Sequence, residues 1–393
     1  MATKSKPKPK QSSKSRTKRT GKIRVGVIFG GRSAEHQVSL VSATSIINAL
    51  DRRKYEVVPI GITTQGRWLS SADAVNLLKS GKNLTRFPER VLTPDPARAG
   101  LLHVDRATSS TNAEHLDVIF PVLHGSFGED GTIQGLFDLA GIPYVGAGVL
   151  GSAAGMDKVI TKQLCERAGI PVTPYLWFLT SERRSPSVII ADIEKQLGYP
   201  CFVKPANSGS SIGISKAHDR VELKEAIVLA CRYDRKILVE RSIERARELE
   251  VAILGNDEPA ASIPGEIVSS NEFYDYDAKY VDGKSVAFIP AKLKKSVERR
   301  IQSLAIQAFR AIDCAGMARV DFLVVKGSNR VYLNEVNTIP GFTSISMYPK
   351  LWEASGVPYS KLLDRLIELA IERHASRQQL STAYKPKAEW YKE

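Results

Sequence analysis

The chain has 393 residues, of which 43% are hydrophobic and 25% charged, with a formal net charge of +14 at pH 7. That length and apolar content exclude a small disulfide-stapled scaffold and predict two or three domains with real cores. No apolar run reaches membrane-spanning length and no secretory-type segment follows the basic start, so a cytoplasmic protein without membrane insertion is expected.

The charge resembles a nucleic-acid signal until it is located. Ten basic residues lie between Lys4 and Arg24 with no acid among them, leaving +4 of the +14 for the rest. Residues 1–22 therefore predict a disordered basic tail rather than a specific nucleic-acid surface. Cys165, Cys201, Cys231 and Cys314 have neither CxxC nor zinc spacing, and are expected to be reduced and buried.

In chain order, Ile23–Phe29 is a short apolar run that ends in Gly30-Gly31-Arg32-Ser33 and passes into a helical pattern, the opening of an α/β unit. The GxGxxG spacing of dinucleotide binders is missing. Glu35 and His36 fall at the helix start. A second strand, Val57–Ile62, precedes a poorly patterned stretch from Gly66 to Ala113, which reads as an irregular insertion. The third strand, Leu116–Leu123, runs into His124-Gly125-Ser126-Phe127-Gly128-Glu129-Asp130-Gly131. A histidine at a strand's carboxyl end sits where open α/β sheets bind ligands, although a lone one is more often structural and needs Glu35 beside it to read as a substrate contact.

A boundary is expected in the small-residue stretch Leu150–Gly155, followed by a helix over Met156–Ala168 with Lys158 in its first turn. Next, Cys201–Gly213 reads as a strand and a small-residue loop. Its backbone N–H groups and serines, with Lys204 beside them, could cradle a phosphate; a solvated turn explains it equally well. Ile237–Glu240 is a strand ending at a hinge, and Arg247–Leu254 a further strand. Ser269–Ser285 carries Phe273-Tyr274-Asp275-Tyr276-Asp277-Ala278-Lys279-Tyr280, which suits a lid.

Residues 316–341 form the most informative stretch. A hairpin with its turn at Gly327, Ser328 and Asn329 places Asp321 opposite Glu335 and Arg319 opposite Asn337. Two facing carboxylates repel unless a cation separates them, and two carboxylates with an amide oxygen suit Mg²⁺. A solvated hairpin with an Arg319–Asp321 ion pair is the plainer alternative. Helices over Val297–Ile312 and Tyr359–Arg377 complete the chain, and 378–393 reads as a loose tail.

The ordered motifs GGRSAEHQVS, HGSFGEDG, FVKPANSGSSIG, RELEVAILGN, FYDYDAKY, GMARVDF and NEVNTIPGFTSIS resemble the D-alanine:D-alanine ligase family of the ATP-grasp superfamily over roughly residues 23–375. The resemblance implies an α/β architecture: a Rossmann-like parallel-sheet domain (23–150), then two α+β domains (151–240 and 241–377) gripping ATP between antiparallel sheets. It assigns Lys158, Lys204, Ser211, Glu240 and Glu248 to ATP, and Asp321, Glu335 and Asn337 to two Mg²⁺ ions. Mn²⁺ is an expected substitute and a monovalent cation a possible assistant. Glu35, Ser210, Tyr280, Arg319 and Gly341 are implied in catalysis; His124, Lys279, Ser346 and Met347 in binding D-alanine.

The implied reaction joins two D-alanines through an acylphosphate, giving ADP and phosphate, for peptidoglycan precursor synthesis. A homodimer is expected on the same ground. Tyr280 favours the dipeptide over a D-alanine–D-lactate product. A catalytically silent nucleotide-binding regulator is the other alternative, and the mark it would carry, a missing metal ligand or Arg319, is not found.

Overall fold

The computed structural model describes residues 21–81, 89–104, 113–268, 286–328, 330–382 and 384. The tail call on residues 1–20, the lid with Lys279 and Tyr280, Asn329 of the turn and most of the C-terminal tail lie outside them.

Strand β1 (Ile23–Gly30) is buried from Val25 onward, as an apolar run without alternation requires when a strand is covered on both faces. Its glycine turn feeds helix α1 (His36–Ala49), which returns to β2 (Tyr55–Ile62), parallel to β1. The stretch expected to be irregular instead extends this sheet through β3 (Trp68–Ser70), α2 (Ala74–Ser80), β4 (Glu89–Leu92), β5 (Gly100–Val104) and β6 (Glu114–His115). These strands are two to five residues long, too short for alternation to be read. Strand β7 (Val118–Val122) pairs parallel to β1 on its other side, giving the order β6-β5-β4-β3-β2-β1-β7. Only its β2-β1-β7 part is parallel; the rest is antiparallel. Helix α3 (Thr132–Ala140) covers one face.

The expected boundary stretch is itself helix α4 (Val149–Met156). Its small residues serve close packing: a Cβ on Gly151 would stand 2.5 Å from the Asp313 carbonyl oxygen, and one on Gly155 would stand 2.7 Å from Thr338 Cγ2. Asp157 breaks the helical path and caps α5 (Lys158–Arg167), accepting from the Val159 and Ile160 N–H groups at 3.1 Å each.

A second, antiparallel sheet has the order β10-β9-β11-β8. It comprises β8 (Tyr175–Leu179), β9 (Cys201–Pro205), β10 (Ser215–Ala217) and β11 (Lys236–Arg241), backed by α6 (Pro186–Gln196) and α7 (Arg220–Ala230). The third sheet is also antiparallel, running β15-β14-β12-β16-β17 with β13 paired to β12. It holds β12 (Ala246–Gly255), β13 (Ala260–Ala261), β14 (Gly265–Val268), β15 (Val286–Phe288), β16 (Gly316–Val325) and β17 (Val331–Asn337), with α8 (Lys295–Ala311) behind it.

The chain then returns to the first sheet. Helices α9 (Met347–Ala354) and α10 (Tyr359–Gln378) share one core with α1, β1 and β7, in which Phe120 meets Phe342 edge-on at 5.9 Å. Asp364 of α10 accepts from Tyr55 at 2.9 Å and pairs with Lys54 at 2.7 Å. Among the described residues no helix is long and apolar enough to cross a membrane. The four cysteines are free; Cys231 is exposed, against expectation, because the α7 C-terminus faces outward, and the other three are buried.

Candidate active site

A cavity of about 550 Å³ lies where the second and third sheets meet the carboxyl ends of β1 and β7. Its second-sheet wall is basic. Lys158, the first residue of α5, donates to the Ser208 carbonyl at 2.6 Å and lies 3.8 Å from Glu335. Lys204 projects from β9 and pairs with Glu240 of β11, whose other oxygen is 2.5 Å from Lys162. Burial works against the Glu240 carboxylate, but the two lysines overcome it and hold its pKa at about 2. Burial also opposes the charge on Lys204, yet Glu240 raises its pKa above the usual lysine range.

The serine loop between β9 and β10 closes this wall. Ser210 and Ser211 adopt left-handed backbone angles, φ +45° and +59°, which cost non-glycine residues about 1 kcal/mol each. The strained turn aims the Ser210 hydroxyl at Glu35, to which it donates, and leaves Ser211 on the cavity surface. Glu35 is buried between two glycine backbones: a Cβ on Gly125 or Gly209 would strike its carboxylate.

The third-sheet wall is acidic. Glu248 and Glu250 share one face of β12, and Glu250 lies opposite Asp321 in the β12–β16 register. The hairpin sets Arg319 against Asn337 and Asp321 against Glu335. Arg319 grips Asp321 through two bonds, at 2.8 and 2.6 Å, and its Nε lies 3.1 Å from Glu250. The ion pair and the convergent carboxylates therefore coexist. Asn337 donates its amide N–H to Asp321 at 3.1 Å, which leaves its carbonyl oxygen as the group it could offer a cation. Among the described residues no group of three or more His, Cys, Asp or Glu side chains forms a metal centre by itself. Asp321, Glu335 and Asn337 still fit Mg²⁺, which takes few protein ligands and completes its shell with water and phosphate oxygens.

The far end of the cavity is bordered by Gly341, Ser346 and His124. Ser346 stands at the N-cap position of α9 with its hydroxyl turned back to receive the Thr343 N–H at 3.0 Å, and Gly341 faces it so closely that a Cβ there would stand 2.7 Å from that hydroxyl. His124 borders this end, but its ring is committed. It bonds the Ile339 carbonyl at 3.0 Å and Ser42 at 3.2 Å, while Ser42 receives the Phe342 N–H at 3.3 Å. Burial pulls its pKa below the usual histidine value. The geometry gives His124 the work of holding the 339–342 turn. Met347 touches the cavity but is mainly core, in the cluster with Tyr348 and Trp352.

Three charged residues escaped the sequence reading. Glu250 follows Glu248 by two on the same strand, which was a readable signal. Lys162 follows Lys158 by one helical turn. Glu129 receives the Gly125 N–H at 2.7 Å and the Ile339 N–H at 3.2 Å, and nothing local marked its second partner, 210 residues away. Burial first, and Glu35 second, push the Glu129 pKa up to about 8, against these two bonds and Lys158.

The cavity thus lies between two antiparallel sheets, one wall basic and the other acidic, and its fold neighbours are ligases of the ATP-grasp class. Residues 24–147 match the family model described as D-ala D-ala ligase N-terminus, and residues 164–368 match D-ala D-ala ligase C-terminus. The chain belongs to the D-alanine–D-alanine ligase family, which uses ATP. It is 52% identical over 365 residues to the D-alanine–D-alanine ligase of Natranaerobius thermophilus, covering 92% of this chain and 99% of that one. Among solved structures it resembles the D-alanine-D-alanine ligase from Coxiella burnetii, with a TM-score of 0.79 and 38% identity over 91% of this chain and 96% of that one. The VanG D-Ala:D-Ser ligase from Enterococcus faecalis gives the same TM-score and identity over 89% of this chain and 100% of that one.

Proposed function

We propose that this protein joins two D-alanines to D-alanyl-D-alanine at the expense of ATP, as a cytoplasmic step in peptidoglycan precursor synthesis. The observation that carries the reading is the pairing of a basic and an acidic wall around one cavity that ends in the Glu35–Ser210 and Gly341–Ser346 groups. ATP lies between the sheets, with its phosphates toward Lys158, Lys204 and the Ser211 loop, and Glu240 and Glu248 toward the nucleoside. Asp321, Glu335 and Asn337 would hold Mg²⁺, or Mn²⁺ in its place, and the bound metal would supply charge neutralisation at the phosphates.

The first D-alanine, oriented by Glu35 and Ser210, attacks the γ-phosphate through its carboxylate oxygen; ADP leaves and an acylphosphate forms. Lys204 and the loop N–H groups stabilise the charge that accumulates on the transferring phosphoryl group. Ser346 and the amino end of α9 hold the carboxylate of the second D-alanine. Its free amine adds to the acyl carbon, Arg319 and the Gly341 N–H stabilise the resulting oxyanion, and phosphate departs as the peptide bond forms. Lys279 and Tyr280 belong to the lid that excludes water from the intermediate. The domains divide at about residues 150 and 240, and the working unit is a homodimer.

The likeness to a D-Ala:D-Ser ligase makes the second amino acid the point to test. Phosphate release is measured with Mg·ATP and D-alanine alone, D-alanine with D-serine, D-alanine with D-lactate, and L-alanine, with products identified by mass spectrometry. D-alanyl-D-alanine as the dominant product is expected. ATP binding without turnover on any of these acids would sink the ligase reading.

A further inference from the structure

The basic wall contains a buried cluster with one lysine more than ion pairing requires. Glu240 has two oxygens and three partners. Oε1 is 2.5 Å from Lys162 Nζ and receives the Thr173 hydroxyl at 3.0 Å, while Oε2 pairs with Lys204. Thr173 in turn receives Lys162 at 2.7 Å, so Lys162, Thr173 and Glu240 close a triangle. Lys162 is fully buried, and its ammonium lies 5.7 Å from the centre of the Tyr175 ring. Of the two lysines only Lys204 lines the cavity; Lys162 stands behind the carboxylate.

Stripping a buried carboxylate of its only cation is costly, because the desolvated charge is left uncompensated. A carboxylate with two cations can lose one and remain paired. Lys204 is therefore free to move to an incoming polyphosphate only because Lys162 stays behind. We infer that Lys162 is the standing counter-ion of Glu240, a positioning residue that lets Lys204 transfer from Glu240 to the nucleotide phosphates. The inference rests on the reading of the cavity as an ATP site.

Burial pulls Lys162 below the usual lysine range, and Glu240, its carboxylate partner, opposes that pull. A merely structural Lys162 would support the fold and leave the affinity for nucleotide to Lys204 alone.

The test is calorimetric titration of the full chain with Mg·ADP and with a non-hydrolysable Mg·ATP analogue. Lys162→Met keeps the volume and leaves Glu240 and Lys204 as a balanced pair, so the fold should hold. The nucleotide must then take Lys204 from a carboxylate with no second cation, and affinity is expected to fall about ten- to a hundredfold. The KM for D-alanine should move far less. Thr173→Val provides a milder second route, with a loss of about two- to fivefold in the same direction.

Wild-type nucleotide affinity in Lys162→Met, or a KM for D-alanine that rises as far as the nucleotide Kd, would overturn the counter-ion role and leave the ATP site standing. Failure of the wild-type protein to bind either nucleotide would overturn both.

Discussion

The two walls of the cavity solve opposite electrostatic problems. On the second-sheet side Lys162 and Lys204 pair with Glu240, and Lys158 lines the same cavity; on the third-sheet side Glu250 and Asp321 pair with Arg319, and Glu248 and Glu335 line the same cavity. Each wall carries an excess of one sign, and excess buried charge is tolerated only when something of the other sign completes it. On the proposed reading a polyphosphate would complete the first and a divalent cation the second. The difference teaches that each wall, taken alone, leaves charge that a partner of the other sign would balance.

Removing charge from the acidic wall is the most direct way to break this comparison. Glu335→Gln keeps the shape and halves the facing pair with Asp321. D-alanine-dependent phosphate release is expected to fall about a thousandfold, the scale of losing a charge-stabilising group in a transition state. The thermal midpoint of the free protein should stay level or rise, because one of two like charges is gone. A fall in both would make Glu335 a structural residue.

The acidic wall also depends on what backs it. Gly151 of α4 approaches Asp313 and Cys314, just before β16, and a methyl group there would lie 3.0 Å from Cys314 Cα. Gly151→Ala gains about 1 kcal/mol of helix propensity and should still lose stability by about 1–3 kcal/mol from overpacking. Chemical denaturation measures this. A stabilised variant would mean that α4 is not pressed against the wall.

A smaller effect separates holding a catalytic group from binding ATP. Glu250 touches Arg319 from the strand next door, 3.1 Å away. Glu250→Gln loosens the guanidinium without touching the basic wall, so kcat should drop about tenfold while the KM for ATP stays close to wild type. A shift in KM for ATP alone would place Glu250 among the nucleotide contacts.

The hairpin shows how much of this was legible in the sequence. The facing of Asp321 and Glu335 follows from alternation plus a short turn, and the structure has it. It reaches that register by a different route: Val325 pairs with Arg330 across the turn, and a bulge between Asp321 and Phe322 then restores the expected partners. The bulge leaves Asn334 without an opposite residue, free to receive Lys204 at 3.4 Å and so to tie the walls together. The first sheet's outer strands were illegible because two to five residues carry no period. Lys162 and Glu129 were illegible for another reason. Their roles come from partners brought together by folding: the one-turn spacing from Lys158 puts Lys162 on the same side of a helix but does not mark Thr173 and Glu240 as its partners.

Glu129 stands where the walls meet, near Glu35 and Lys158, and it makes the junction sensitive to pH. Its folded pKa of about 8 exceeds the ordinary glutamate value of 4.5, so across that interval the native protein keeps a proton that the unfolded chain has released. Stability from this group is present at low pH and is lost as pH rises through 8. His124 acts in the opposite sense, since its depressed pKa makes stability rise with pH, but that contribution ends near 6.5, the unperturbed histidine value. Between pH 6.5 and 8 the wild-type protein should therefore lose stability that Glu129→Gln retains, a difference of about 1 kcal/mol, read from paired denaturation curves without nucleotide. Because Glu35 is the charge that most raises Glu129 after burial itself, Glu35→Gln should shrink the same difference. Equal slopes in wild type and Glu129→Gln would mean that the two backbone N–H bonds keep the carboxylate ionised throughout, and that the junction is a fixed strut.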